Sequence, residues 1–189
     1  MSRICVVVGV TSLWLGCGSG AGSLDGKVHG HEVSVKEAVF IQLDSGDVIV
    51  AAGDQENLCG VLNGQQRPSH EMNLLEVGLV NWNGSSTQPL VTGSYTVARS
   101  ITAAGLYAYA ILFWTSECLT FGALGTNGGS VTVDSVGLAQ AGGHTAISVA
   151  LTFGDDHLSG HLDATYCPLA AATGTACQPQ LRARPLDTE

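Results

Sequence analysis

Beyond Lys27 the chain alternates apolar and polar residues with the period of two that marks strands with one buried face. Val33, Val35, Val39, Ile41 and Leu43 fall on odd positions, against Lys36, Gln42 and Asp44 on the other parity. Asp44-Ser45-Gly46-Asp47 reads as a tight turn into Val48-Ile49-Val50-Ala51-Ala52, which predicts a first hairpin. Further strands are predicted from Met72 to Trp82, Gly93 to Val97, Leu106 to Thr115, Ser130 to Val136, Ala146 to Phe153 and Leu158 to Tyr166, with Gly- and Asn-rich turns between them. From Asp54 to Gln65 the period changes. Leu58, Val61 and Leu62 recur at helical spacing, Asp54 is placed to cap and Glu56 to occupy the first turn, so a short helix carrying Cys59 is expected. About eight or nine short strands and one short helix predict an all-β fold, an antiparallel β-sandwich or open barrel.

Composition narrows the functional classes. The 189 residues suit one domain, and 45% apolar against 12% charged residues excludes a charge-rich disordered chain. A formal net charge of −9, with the seven Lys and Arg scattered, excludes a nucleic-acid groove binder and a polybasic membrane patch. The β domain is expected over 27–177. Pro179 and Pro185 lie in a closing segment, 178–189, expected to be a disordered tail.

At the start, Arg3 precedes an apolar run from Ile4 to Leu15 and then Gly16-Cys17-Gly18-Ser19-Gly20. This is the layout of a secretory signal, and the run is too short for a bilayer core of about 30 Å. It resembles the signal of bacterial lipoproteins, in which the Cys after a small residue receives palmitate-type acyl chains and becomes the N-terminus. The resemblance implies a signal peptide at 1–16, lipidation of Cys17, a flexible tether over 17–26, and, because Gly18 rather than Asp follows, the outer membrane as the address. Cys5 leaves with the leader. Cys59, Cys118, Cys167 and Cys177 remain, an even number in an oxidising compartment, which predicts two disulfides with three possible connectivities. The preferred pairing closes a short loop between Cys167 and Cys177 and leaves Cys59 with Cys118.

The order of segments carries a second likeness. It runs from Gly26-Lys27-Val28-His29-Gly30-His31-Glu32-Val33-Ser34-Val35 through Asn57-Leu58-Cys59, Gly93-Ser94-Tyr95-Thr96-Val97 and Gly129-Ser130-Val131-Thr132-Val133 to Leu158-Ser159-Gly160-His161-Leu162-Asp163-Ala164-Thr165-Tyr166-Cys167. This resembles a group of uncharacterised secreted lipoproteins of the myxobacterial type, with Leu162 where the group tends to have Phe. The resemblance implies a fold and an address, and no reaction.

Chemistry-bearing residues gather at turns. His29 and His31, two apart, would share a strand face, and Asp155, Asp156, His157 and His161 form a second patch; if first and last strands paired, the four His are weak candidates for a divalent metal. No His-Glu-x-x-His, no Gly-x-Ser-x-Gly elbow and no phosphate loop with a following Lys occurs. Asp44 with Asp47, and Asp155 with Asp156, read as turn stabilisers rather than paired catalytic carboxylates. Trp82, Trp114, Tyr107 and Tyr109 read as core, or as a carbohydrate platform if coplanar and exposed. No catalytic residue and no cofactor is assigned. The expectation is a non-enzymatic, lipid-anchored binding or structural domain on the cell envelope, with a protein or glycan ligand. The alternatives are a metal-dependent or other hydrolase using the His and Asp turns, and a carrier of apolar small molecules in an unfilled barrel.

Overall fold

A computed structural model describes residues 21–69, 71–116 and 119–169. In chain order these form β1 (Gly22–Val28), β2 (His31–Glu32), β3 (Glu37–Gln42), β4 (Val48–Gly53), α1 (Leu58–Leu62) and β5 (Met72–Trp82). There follow β6 (Thr87–Gln88), β7 (Gly93–Val97), β8 (Gly105–Ser116), β9 (Leu119–Gly125), β10 (Gly128–Ser135), β11 (His144–Phe153) and β12 (Asp156–Tyr166). The all-β expectation with one short helix holds. The strands that alternation misses are β2 and β6, each two residues long, and the Gly-rich β1 and β9, where too few side chains carry a period. β1 also revises the expected tether, because Gly22 to Gly26 pairs with Leu162 to Leu158 of β12.

The sheet closes on itself. Eight strands follow one another in the order β11, β10, β7, β8, β5, β4, β3, β12, and β12 returns to pair with β11 along its whole length, from His144 with Thr165 to Phe153 with Asp156. Closure removes the sheet edges that an open barrel leaves for other chains to pair with. Two joints are parallel and short: Thr96 and Val97 against Tyr107 and Ala108, and Thr165 and Tyr166 against Val39 and Phe40. Neither is visible in a hydrophobic pattern, which reports which face is buried and not which strand lies alongside.

Alternation sends one parity inward. Phe40, Val50, Leu75, Val77, Leu112, Val133, Val149 and Phe153 meet in the barrel interior, all essentially inaccessible to solvent. The interior is a packed core, as in other small barrels. On β3, β4 and β5 the outward parity is buried as well. Val39, Ile41, Ile49, Ala51, Met72 and Leu74 lie under Leu58, Val61 and Leu62 of α1. This explains the continuous apolar runs of β3 and β4 and corrects the single-faced strand expected from Val33 to Leu43. Val33 and Val35 precede β3 and pack against the interior cluster from one end of the barrel.

The helix is shorter than 54–65 and is capped differently. Asn57, in the left-handed region at φ 55°, occupies the N-cap position without a side-chain cap bond. The Leu58 N–H instead donates to Glu37 Oε2 of β3 at 2.9 Å, so the capping carboxylate comes from the sheet and not from Asp54.

One disulfide, Cys59–Cys167, fastens α1 to the residue after β12, with Cα atoms 5.6 Å apart. This overturns the preferred pairing of Cys59 with Cys118 and Cys167 with Cys177. The cause is the parallel joint: the Cys167 N–H donates to Phe40 O at 2.8 Å, which places Cys167 on the outer side of β3, directly under the helix. Cys118 and Cys177, like Cys17 and the segments 1–16 and 178–189, lie outside the described residues.

Each barrel end is stopped. At one, the β1–β2 hairpin turns at His29-Gly30, buries Val28 and is held by Asn73 Nδ2 donating to Glu32 O at 3.2 Å. At the other, Tyr95 is wholly buried; its hydroxyl donates to Val91 O at 2.9 Å and accepts from Val91 N–H at 3.2 Å, folding the chain before β7 over the opening.

The Cys59–Cys167 link spans 108 residues, so restricting the unfolded chain contributes about 3 to 5 kcal/mol. Cys59→Ser, or reduction, is expected to lower the unfolding free energy by that order in a urea titration followed by circular dichroism. Unchanged stability would mean that the bridge does not form.

Candidate binding surface

The same alternation that fills the barrel turns a polar face outward on β10, β11 and β12. Ser130, Thr132 and Asp134 stand beside Ser148 and Thr152, and these beside His157, His161 and Asp163. Cross-strand contacts tie the row together. Ser148 Oγ donates to Asp134 Oδ2 at 2.8 Å, and His161 Nδ1 lies 3.3 Å from Ser148 Oγ and 3.5 Å from Asp134 Oδ2. His144 Nδ1 lies 3.5 Å from Asp163 Oδ1.

A serine, a histidine and an aspartate in contact invite comparison with a hydrolytic triad, and the atoms that meet differ from one. In a triad one ring nitrogen takes the serine proton while the other is held by the carboxylate. Here Ser148 Oγ donates to Asp134 Oδ2, and a single nitrogen of His161, Nδ1, faces both partners. The serine and the carboxylate thus meet the same ring nitrogen, and not one on each side of the imidazole as in a triad. With side chains of His161 and Asp134 52% and 38% exposed, the contact is a solvated ladder, and such ion pairs add little stability.

The four candidate metal histidines are dispersed. His29 has φ 50° and sits in the hairpin turn, so it does not share a strand face with His31; its N–H donates to Asp156 Oδ2 at 2.8 Å. His31 stacks on Trp114, ring centres 4.5 Å apart and planes 11° from parallel. His157 Nδ1 is 3.5 Å from Thr152 Oγ1, and His161 belongs to the ladder with Asp134. First and last strands do pair, as β1 with β12, yet no group of three His, Cys, Asp or Glu side chains among the described residues is placed to hold a metal ion.

The acidic turns are built from local bonds. Asp47 Oδ2 accepts from Ser45 Oγ at 3.0 Å and its Oδ1 from Thr87 Oγ1 at 3.0 Å, while Asp156 anchors the His29 turn. The aromatic residues form no common platform. Trp114 packs against the interior cluster and over Gly122, where a Cβ would stand 2.1 Å from its ring; Tyr109, on the opposite face of the same strand, covers Gly78 at the same distance. Tyr107 donates its hydroxyl to Ala103 O at 3.0 Å, and Trp82 lies half-buried at the end of β5.

One buried acid escaped the reading of motifs. Glu76, between Ala51 of β4 and Ile111 of β8, is fully buried on the outer side of the wall, and neither carboxylate oxygen has a hydrogen-bond partner among the described residues. Burial pushes its pKa up from 4.5 to about 7. Burial and the neighbouring negative charges of Glu76 and Asp47 together push the Tyr109 hydroxyl upward. The signal was present in the sequence: Glu76 is the sole charged residue in the eleven of β5, between Leu75 and Val77.

The described residues thus define a closed, apolar-cored eight-stranded β-barrel with a helix fastened to its outer wall and a polar ladder on the other side. Comparison with protein-family models, with curated proteins and with solved structures finds no match to this chain.

Two outcomes follow from this geometry. Because Glu76 binds its proton more tightly folded than unfolded, stability is full below about pH 4.5, falls as pH rises toward 7 and then levels, for a total loss of about 3 kcal/mol. Glu76→Gln, permanently neutral, is expected to remove that slope, so that its urea midpoint exceeds the parent's at pH 8 and matches it near pH 4. Parallel pH profiles for the two proteins would exclude the effect. With His29, His31, His157 and His161 apart, and no metal-binding group among the described residues, the protein is also expected to melt at the same temperature in excess zinc, excess calcium or chelator; a shift of several degrees would reveal a bound metal.

Proposed function

We propose that the protein is exported and held on the cell envelope by a lipid on Cys17, and that its barrel is a non-enzymatic binding or structural domain. The observation that carries this reading is the Cys59–Cys167 bridge. A structural disulfide linking residues 108 positions apart favours an oxidising compartment over the cytosol. The N-terminal pattern Arg3, Ile4 to Leu15, Gly16-Cys17-Gly18 supplies a route there and an anchor, and the likeness to secreted myxobacterial lipoproteins agrees with both. The outer membrane, reached through the lipid and facing the periplasm or the exterior, is the proposed address.

For the barrel itself, a binding or structural role is favoured by an exposed Ser, Thr, His and Asp ladder on β10 to β12 suited to hydrogen bonding a polar protein or glycan surface. The hydrolase reading is weakened by the way Ser148 and Asp134 share one nitrogen of His161. A carrier of apolar molecules is weakened by Phe40, Tyr95 and Phe153, which fill the interior.

Mass spectrometry of protein purified from a host that processes lipoproteins tests the proposal. The expected N-terminal peptide begins at Cys17 and carries acyl mass, and Cys59 and Cys167 appear in one linked peptide pair. An unmodified N-terminus downstream of Cys17, or free thiols at Cys59 and Cys167, would refute it.

A further inference from the structure

We infer that the Tyr95 end of the barrel is a docking surface for the lipid bilayer itself, so that the anchored domain lies end-on against the membrane. The inference rests on the proposed lipidation of Cys17. It begins from the distribution of exposed apolar side chains. Val91, Val136 and Leu138 are three of the four large apolar residues that the described structure leaves exposed, Leu138 at 68%. Strand directions place all three at one end. β7 starts there, running parallel to β8 from Gly93, and antiparallel β10 finishes there, with Gly93 opposite Val133. Val91 lies two residues before β7, and Val136 and Leu138 follow β10 directly.

The segments that carry these residues, Pro89-Leu90-Val91-Thr92 and Val136-Gly137-Leu138-Ala139-Gln140-Ala141-Gly142-Gly143, contain no Asp, Glu, Lys or Arg. In a chain with net charge −9, two neighbouring uncharged loops with apolar tips have the composition of a surface that enters a headgroup layer. The acidic turn Asp44–Asp47 opens at this end too, but from β3 and β4 on the opposite wall. Asp155, Asp156 and the His29 turn lie at the far end.

The chain entering the barrel supplies the occupant. Ala21 O accepts from the Asp163 N–H at 3.0 Å; Asp163 is opposite Ala146, and Ala146 is opposite Ser135. These four residues form one row across β1, β12, β11 and β10. Three strand spacings, about 14 Å, therefore separate the point where the chain enters from the base of the Val136–Leu138 loop. Cys17 precedes Ala21 by four residues, whose extended reach is also about 14 Å at most. A lipid on Cys17 thus tethers this end, and not the hairpin end, within contact distance of the bilayer.

Trp fluorescence quenching by brominated lipid tests the docking on the full, processed protein. Leu138→Trp, Val136→Trp and, at the far end, Asp155→Trp are reconstituted separately into phosphatidylethanolamine and phosphatidylglycerol vesicles with brominated acyl chains, and read as differences from the parent. The expected result is a loss of roughly half the added emission at 138 and 136 and none at 155. The mass of the N-terminal peptide, taken on the same samples, reads the anchor independently. Acylated Cys17 with equal quenching at the two ends overturns the docking and leaves the anchor standing. A Cys17 without lipid removes the tether and overturns both. Dimerisation of vesicle-free protein that Leu138→Asp abolishes assigns the loops to a second copy and likewise overturns the docking.

Discussion

Two residue pairs, Thr165 with Val39 and Tyr166 with Phe40, join the last strand to the third in parallel, and much of the molecule depends on them. Without this joint β3 would be a sheet edge and the interior would be open along one side. With it, the ladder closes, Phe40 and Ala164 become interior residues, and the chain beyond Tyr166 emerges on the outer side of β3. That position meets α1, which is why Cys167 finds Cys59. The bridge and the joint support one another: hydrogen bonds bring the sulfurs together, and the covalent link holds a parallel contact too short to be strong alone.

The helix in turn has an energetic reason to stay. Leu58, Val61 and Leu62 are fully or nearly fully buried, each contributing about 1.5 to 3 kcal/mol by leaving water. They cover the outward residues of β3 to β5, and a second apolar layer results on that side of the barrel. Among the described residues the other side has no such cover, and there the outward parity is Ser, Thr, His and Asp. The barrel thus has one wall thickened by packing and one wall offered to solvent, with an apolar interior. This is the reverse of a membrane-spanning barrel, whose outside is apolar and whose lumen is polar.

Local periodicity made most of the strands legible. Gly93–Val97 and the β10 to β12 run were readable because a half-buried strand writes its inner and outer faces as alternate letters, and Met72–Trp82, buried on both faces, because an apolar run stops at the turn residues Asn83 to Ser86. Ring closure and the Cys59–Cys167 pairing were not, since both follow from contacts between residues more than a hundred positions apart. The core-facing side of β3 was hidden for a related reason. Val39 and Ile41 are apolar because a helix covers them, and the sequence does not say which of two buried faces is the core. At the candidate site the histidines stood out by residue type, yet the His29 turn changes the direction in which each points. Glu76 has no motif, and only its isolation among apolar neighbours marks it.

The bridge also divides the chain topologically. Residues 59 to 167 form a covalent circle that contains β5 through β12, while β1 to β4 stand outside it on a single connection. A protease that nicks one loop within the circle turns it into a line and releases nothing. A cut between Ala21 and Leu58 has the opposite effect, leaving every residue before it attached only by non-covalent pairing. Under the proposed lipid anchor on Cys17, that stretch is where attachment is decided.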